Sequence, residues 1–273
     1  MAEPIVFPFE RHTRTSTRTL AFQTCSDVAT RHQGGIGNVG LWDVLSSSPN
    51  QVHSFLGRSI LERPGRLGHN PRMIDDARRY APAAARNRDA ILMTLSPYLL
   101  KFGTVLEVAS GSGEHTMYFA AAHPKLTFQP SDPDPDGRAS TDAWTRHLHL
   151  TNVGPAIELD VAQSIYPSIR ADFVICINMI HIAPWPAAVG LMRNAAIILP
   201  TGGILFLYGP YRRNGEHTSP SNAAFDADLK ARNPAWGVRD LEAVATLASD
   251  YGFSAPNIEA MPANNFSLIF TRH

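Results

Sequence analysis

Short apolar runs alternate with stretches of helical period over the last two hundred residues of this chain. Val105, Leu106 and Val108 form one such run, of the kind that fills a buried parallel strand. Gly111 and Gly113 follow in a tight turn, and residues 114 to 122 then read as helix. Further strands are predicted over 126 to 129, 157 to 159, 173 to 177 and 204 to 207; the run from 173 is entirely apolar and so central. Pro82 opens a helix at a position that suits proline, with Ala84, Ile91, Leu92 and Leu95 on one face. Ser140 is expected to cap a helix bearing Trp144 and Leu148. Ala188, Leu191, Met192, Ala195 and Leu199 recur at helical spacing and stop before Pro200. Asp240 is expected to cap a last helix with Leu241, Val244, Ala245 and Ala248 inward and Gly252 past its end. Two final strands, near Ile258 and over 266 to 270, have no helix between them and predict a hairpin. The fold class is therefore α/β: a doubly wound, mostly parallel, seven-stranded sheet with an antiparallel last strand.

Residues 1 to 70 break this pattern. They hold Gly34, Gly35, Gly37 and Gly40, then a Pro/Gly/Arg-rich stretch from 63 to 72, with one short helix expected near 41 to 56. The division predicted is an N-terminal extension over 1 to 78, dispensable for ligand binding, and a folded domain over 79 to 273. Arg11, Arg14 and Arg18 among Ser and Thr hint at an organellar presequence, but Glu3, Glu10 and Asp27 oppose it. At 44% hydrophobic and 18% charged the chain is globular in composition, and no stretch reaches the apolar length of a membrane span. Lys+Arg and Asp+Glu are both 24, so no bulk charge attracts nucleic acid or an anionic membrane. The first 79 residues hold ten Arg and seven acids, which leaves the remainder at a net −3 and further disfavours a nucleic-acid substrate. Two cysteines, Cys25 and Cys176, make no disulfide framework, which fits a reducing, cytoplasmic setting. Composition leaves the oligomeric state open.

The glycine turn carries the chemistry. A dinucleotide turn reads G-x-G-x-x-G, but here Gly111-Ser-Gly113 is followed by Glu114, His115 and Thr116. The third glycine is missing, and Glu114 sets a negative charge where a pyrophosphate would sit. Glu107, at the end of the preceding strand, also suits a cationic ligand. The pattern acid-x-x-x-Gly-x-Gly from Glu107 resembles motif I of the class I S-adenosylmethionine-dependent methyltransferases, with Ala109 where that family usually has another glycine. Glu107, Asp132 and Asp160 end three successive predicted strands, and strand ends line the ligand crevice of a doubly wound sheet. The resemblance assigns Asp132 to the ribose hydroxyls, Asp160 with Val161 to the adenine edge, and Glu107 to the methionine end.

The run from 173 ends in Asn178-Met-Ile-His181-Ile-Ala-Pro184-Trp185. Methyltransferases of this fold place catalytic and substrate groups there. The Asn-Pro-Pro-aromatic pattern of amino-group methyltransferases acting on adenine or glutamine is absent. His181 reads either as a general base or as a structural histidine bonded to a backbone carbonyl. Asn178 and Tyr208 are the other candidate catalytic residues. Tyr211, Asn222, Asn264 and Asn265 are expected to bound a substrate pocket, although paired amides before a strand also shape turns. His115, His181 and His217 lack ligand spacing, and no metal is expected.

Six ordered segments together resemble one family: Tyr80-Ala-Pro-Ala-Ala-Ala-Arg-Asn87-Arg, Leu106-Glu-Val-Ala-Ser-Gly-Ser-Gly-Glu-His115, Gln129-Pro-Ser-Asp132, Asn178-Met-Ile-His181-Ile, Tyr208-Gly-Pro and Met261-Pro-Ala-Asn-Asn265. They are similar to the DUF938 group, which includes the methyltransferase-like protein 26 type of eukaryotic sequence. The resemblance covers residues 79 to 272. It implies a Rossmann-like class I methyltransferase domain with S-adenosylmethionine as cofactor, and it implies no substrate. It places Arg86, Asn87, Ala109, Gly111, Gly113, His115 and Asn178 at the cofactor with the three acids. Ala85 for Glu and Ser112-Gly-Glu114 for Thr-Gly-Gln depart from the group's usual pattern close to that cofactor, and bear on its affinity. The function expected is methyl transfer to a small molecule. The alternatives are a cofactor-binding scaffold without turnover and, opposed by the missing glycine, a nicotinamide dehydrogenase.

Overall fold

The computed structural model describes residues 76 to 273 apart from 164 and 167. The short helix expected near 41 to 56 and most of the N-terminal extension lie outside those residues. Helix α1 (Pro82–Leu95) precedes β1 (Gly103–Val108), α2 (Glu114–Ala122), β2 (Leu126–Ser131) and α3 (Pro135–Leu148). Then come β3 (Phe173–Ile177), α4 (Trp185–Ile198), β4 (Ile204–Arg213), β5 (Glu216–His217) and α5 (Pro220–Arg232). The chain closes with β6 (Arg239–Asp240), α6 (Leu241–Asp250), β7 (Asn257–Met261) and β8 (Asn265–Thr271). No described helix is long and apolar enough to cross a membrane.

The sheet order is β2-β1-β3-β4-β8-β7, with the short β5 and β6 paired to the far end of β4. Strands β1 to β4 are parallel, while β8 runs antiparallel to both β4 and β7. The strand order reverses between β1 and β3, and ligands of doubly wound sheets bind at such a switch point, outside the strand C-termini. The glycine turn leaves β1 there, and Asn178 leaves β3 beside it.

Alternation along the strands feeds two cores. Leu106, Val174, Leu205 and Leu268 face α4 and α6, whereas Val105, Ile175, Phe206 and Ile269 face α1 and α2. Every residue of β3 is buried, as its unbroken apolar run predicts. Each buried Leu or Phe contributes about 1.5–3 kcal/mol.

Five local readings are corrected. The strand expected at 157 to 159 is reduced to single parallel bridges, Phe128 to Val153 and Ser131 to Ile157, beside β2. These occupy the seventh, outermost position of the sheet. Helix α3 starts at Pro135, because Asp134 accepts from the Asp136 N–H and Pro135 fills the first turn; Ser140 lies mid-helix. Strand β4 runs on through Gly209 and Pro210, since β8 pairs with it as far as Pro210 opposite Asn265. Helix α5 was not expected, yet Ser219 caps it from the Asn222 N–H and Pro220 opens it. Asp240 precedes α6 as expected, but its carboxylate accepts from the Gly215 N–H at 2.7 Å and not from the helix.

Candidate functional site: the crevice at the switch point

Strand β1 carries Glu107 into the interior, where it is 3% exposed and takes the Thr116 hydroxyl from α2 as donor. Burial pushes its carboxyl up to about 7, against the Thr116 and Ser110 bonds that favour ionisation. Ala109 follows at φ 59, Gly111 at 58 and Gly113 at 87, so the turn is built from left-handed residues. The two glycines serve different ends. A Cβ on Gly113 would lie 2.8 Å from the Thr141 backbone, so α3 itself requires that glycine. A Cβ on Gly111 would meet nothing within 4 Å. Gly111 is thus open on the crevice side, a place where backbone can approach a ligand.

Asp132 sits beside this opening. Its carboxylate accepts from Gly111 N and Asp134 N, each at 2.8 Å, and so fixes the turn that it borders. Asp160 accepts from Ala162 N at 2.9 Å and from the Gln163 amide at 2.7 Å. The Val161 side chain packs in the core, and a Cβ on Gly190 would collide with the Val161 carbonyl at 1.8 Å. Glu114, read from sequence as a bar to pyrophosphate, has a structural partner as well. It takes the Ala81 N–H at 2.5 Å and the Ser112 hydroxyl at 2.9 Å, docking the start of α1 on the turn. Arg79 N donates to Ser140 at 2.8 Å and Trp144 donates to the Arg79 carbonyl at 3.0 Å, which ties the same segment to α3.

Helix α1 contributes Asn87, whose Oδ1 is 2.8 Å from His115 Nε2 on the first turn of α2. Tyr208 ends the parallel part of β4, opposite Ile177 of β3. Burial lowers the His115 imidazole to about 4, with Arg88 adding to the effect, so it is neutral. Burial raises the Tyr208 phenol above its ordinary range. Arg86, expected beside Asn87, is exposed.

The β3 side departs from expectation. Asn178 adopts φ 60 and its N–H bonds the Tyr208 carbonyl at 2.8 Å, so the two candidate residues are adjacent at the crevice. His181 is 0% exposed, its ring edge-on to Tyr211 at 5.1 Å between centroids. Neither ring nitrogen has a hydrogen-bond partner, and burial with Arg239 nearby lowers the imidazole to about 3. A fully buried imidazole held neutral has no surface from which to take a substrate's proton. The structural-histidine reading takes another form too: packing holds the ring, not a carbonyl. A Cβ on Gly209 would lie 2.2 Å from His181 Nε2, so the Tyr-Gly-Pro glycine makes room for the histidine. Tyr211 is likewise 0% exposed, and burial raises its phenol well above the usual range. Asn222 donates to Thr218 and to the Asn264 carbonyl, tying α5 to the turn before β8. Asn265 donates to Pro262 and Ala263 carbonyls, so this amide shapes the turn. Asn264, at φ 58, is exposed.

A profile of the family described as a protein of unknown function, DUF938, matches residues 78–272. The chain belongs to the DUF938 family. Solved structures share the fold. Human N-acetylserotonin methyltransferase in complex with S-adenosylmethionine matches at 13% identity and TM-score 0.59, over 70% of this chain and 52% of that one. An O-methyltransferase family protein from Burkholderia thailandensis matches at 20% identity and TM-score 0.56, over 68% and 58%. The S-adenosylmethionine-dependent methyltransferase SibL in its apo form matches at 18% and 0.59, over 70% and 55%. The chain therefore spans little more than half the length of these structures. The DUF938 domain has the class I methyltransferase architecture: a mostly parallel sheet with antiparallel last strands.

The DUF938 site holds residues that sequence reading missed. Thr116 and Ser131 secure Glu107, the latter by donating to its carbonyl at 2.7 Å. Arg239 donates to the Ile180 and Ala183 carbonyls at 2.9 and 2.5 Å, holding the segment after β3. Gly237 N donates to the His181 carbonyl at 3.0 Å. Nothing in local spacing announces Arg239, which acts from more than fifty residues away. A recess of about 330 Å³ lies under the other ends of β1 and β3, among Thr104, Arg170, Asp172 and Pro200, and contains none of these residues.

Proposed function

We propose that this chain binds S-adenosylmethionine in the crevice at the glycine turn and transfers its methyl group to a small molecule. The carrying observation is Gly111, a left-handed, exposed glycine that no neighbouring protein atom requires, its N–H held by Asp132. The residues fit the cofactor. Glu107 offers a carboxylate to its cationic methionine end, and the neighbouring positive charge would draw Glu107 into its ionised form. Asp132 has lone pairs left for a ribose diol, and Asp160 with the Val161 backbone borders the base edge. Glu114 and the lack of a third glycine weigh against a nicotinamide dinucleotide.

When bound, S-adenosylmethionine supplies an electrophilic methyl group open to in-line displacement. The chain's own task is alignment and exclusion of water, for which effective molarities are large. Asn178 and Tyr208 flank the place where an acceptor would lie. Burial raises the Tyr208 phenol above its ordinary range, so it stays protonated, able to donate a hydrogen bond and unable to take a proton. With His181 buried, the acceptor best suited arrives with its lone pair free, as a carboxylate, a thiolate or an unprotonated amine. The burial of His181 also favours a second reading, a cofactor-binding scaffold without turnover.

Calorimetry with S-adenosylhomocysteine and with NAD tests the cofactor. Micromolar binding, about −8 kcal/mol, is expected for the first and none for the second. Gly111→Ala and Asp132→Ala are each expected to weaken it at least tenfold, about 1.4 kcal/mol. Equal affinity in Gly111→Ala would remove the close approach at that turn. A methyl-donor turnover screen over small thiols, phenols, amines and carboxylic acids separates enzyme from scaffold.

A further inference from the structure

We propose that Arg212 anchors an anion subsite on the β4 wall above the crevice, and that the methyl acceptor is a small carboxylic acid. Strand alternation places the residue. Leu205, Leu207 and Tyr211 of β4 pack in the core that faces α4 and α6, whereas Phe206 and Tyr208 pack in the one that faces α1 and α2. Side chains alternate along a strand, so Arg212 continues the face of Tyr208. Strand β3 ends opposite Tyr208, so the last residues of β4 stand beyond the strand ends that line the crevice. Arg212 lies four residues past Tyr208, roughly 13 Å at a rise of about 3.3 Å per residue. His217 of β5 is directly opposite Arg212 in an antiparallel pair, and so on the same face.

Arg212 is half-buried, and its Nε is buried without a hydrogen-bond partner among the described residues. His217 Nδ1 is in the same condition. The acids around them are engaged elsewhere. Asp240, opposite Arg212 on β6, accepts from Gly215 N at 2.7 Å. Asp226 takes Lys230 at 2.6 Å and Val238 N at 2.7 Å, with His217 Nε2 at 3.3 Å. Glu242 takes Arg213 Nε at 3.1 Å and Asn214 N at 3.0 Å. Glu216 is exposed and lies opposite Arg213, on the other face. Arg239 gives its guanidinium to backbone carbonyls. Arg212 is thus a cation without an ion pair among the described residues, in a region whose buried acid is already matched. A buried donor left unpaired is costly, and a ligand that reaches it recovers that cost. A carboxylate fits a guanidinium side-on, through Nε and one Nη. On the proposed function, that carboxylate belongs to the methyl acceptor, and Arg212 orients the rest of the molecule toward Tyr208 and Asn178.

Benzoate, its neutral amide benzamide and inorganic phosphate test the subsite by NMR titration of the full chain at constant ionic strength. Wild type is expected to bind benzoate at least tenfold more tightly than either of the others. Arg212→Gln is expected to weaken benzoate at least tenfold. Arg232→Gln, which removes an equal charge from an exposed pair on α5, is expected to leave it unchanged. No benzoate binding by wild type, equal affinity in Arg212→Gln, or an equal loss in both variants overturns the proposal. Phosphate bound more tightly than benzoate overturns the carboxylic acid. If Arg212→Gln fails to fold, Arg212→Lys serves, because it keeps the charge and loses the fork. A loss of about threefold to tenfold is expected there, and an unchanged affinity again overturns the anchor. S-adenosylhomocysteine calorimetry separately tests the proposed function, with equal binding expected in wild type and Arg212→Gln. Absent binding in wild type with Arg212-dependent benzoate binding keeps the anion subsite and removes the methyl acceptor.

Discussion

At the glycine turn, Glu107, Ser110, Gly111, Ser112, Ser131, Asp132 and Ser140 hold one another through bonds that span fewer than forty residues. At the β3–β4 mouth the backbone carbonyls are held from more than fifty residues away. His181 fits against Gly209 and Tyr211, and its carbonyl is held by Gly237. Arg239 clamps the carbonyls on either side of it, and Asp226 takes the Val238 N–H at 2.7 Å beside Lys230. Both regions bury a titratable group, but of opposite kind. On the first side a carboxyl is pressed toward its neutral form at the end of β1, four residues before the exposed Gly111. On the second an imidazole is neutral and sealed. A buried acid before an exposed glycine turn is a candidate ligand-binding feature, whereas a sealed imidazole is a packing feature.

The pH dependence of stability separates the two most strongly. An imidazole titrates near 6.5 in the unfolded chain, but His181 is held near 3 by burial and Arg239. Its stabilising contribution is present above pH 6.5 and is lost as pH falls toward 3, by roughly 4 kcal/mol in all. Wild type is expected to lose roughly 3 kcal/mol more than His181→Gln between pH 7 and pH 4 in urea melts. Equal losses would show an imidazole in contact with solvent and restore it as a candidate base.

Glu107 has the opposite sign. Its folded value of about 7 lies above the ordinary 4.5, so its contribution is full below pH 4.5 and is lost as pH rises through 7. Glu107→Gln is expected to match wild type near pH 4.5 and to exceed it by about 3 kcal/mol at pH 8. The same variant is expected to bind S-adenosylmethionine more weakly, since a neutral amide cannot pair with its cationic end. A gain in stability with no loss of binding would leave Glu107 a buried acid without a ligand.

Glycine substitutions sharpen the contrast further. Gly209→Ala drives a methyl group to 2.2 Å from His181 Nε2 and is expected to cost about 1–3 kcal/mol, with ligand affinity unchanged in the folded fraction. Gly111→Ala meets no atom and is expected to cost about 1–2 kcal/mol through its left-handed backbone, yet to lose binding. The smallest effect belongs to Arg79→Ala. Its ion pairs with Asp134 and Asp136 are half-exposed, so less than about 1 kcal/mol is expected from thermal melts. The backbone bonds of the same residue to Ser140 and Trp144 persist in that variant.

The sequence by itself determined the strand, turn and helix from β1 to α2, the apolar β3, the start of α1 at Pro82 and the closing hairpin. It also placed Glu107, Gly111 and Asp132 around one turn. Period, capping and turn residues act between near neighbours, so spacing along the chain carries them. Helix α5 was legible in principle, from Ser219 and Pro220, but the amides around it read as ligand groups and not as ties. Tertiary structure alone decided that β4 runs through Gly209 and Pro210, because β8 arrives to pair with it. It alone decided that His181 is sealed, that Gly209 makes room for its ring, and that Asn87 of α1 meets His115 of α2. Whether a polar side chain meets a ligand or a neighbour depends on which distant segment covers it. That coverage is settled by burying apolar faces and satisfying polar groups over the whole domain, and local pattern does not encode it.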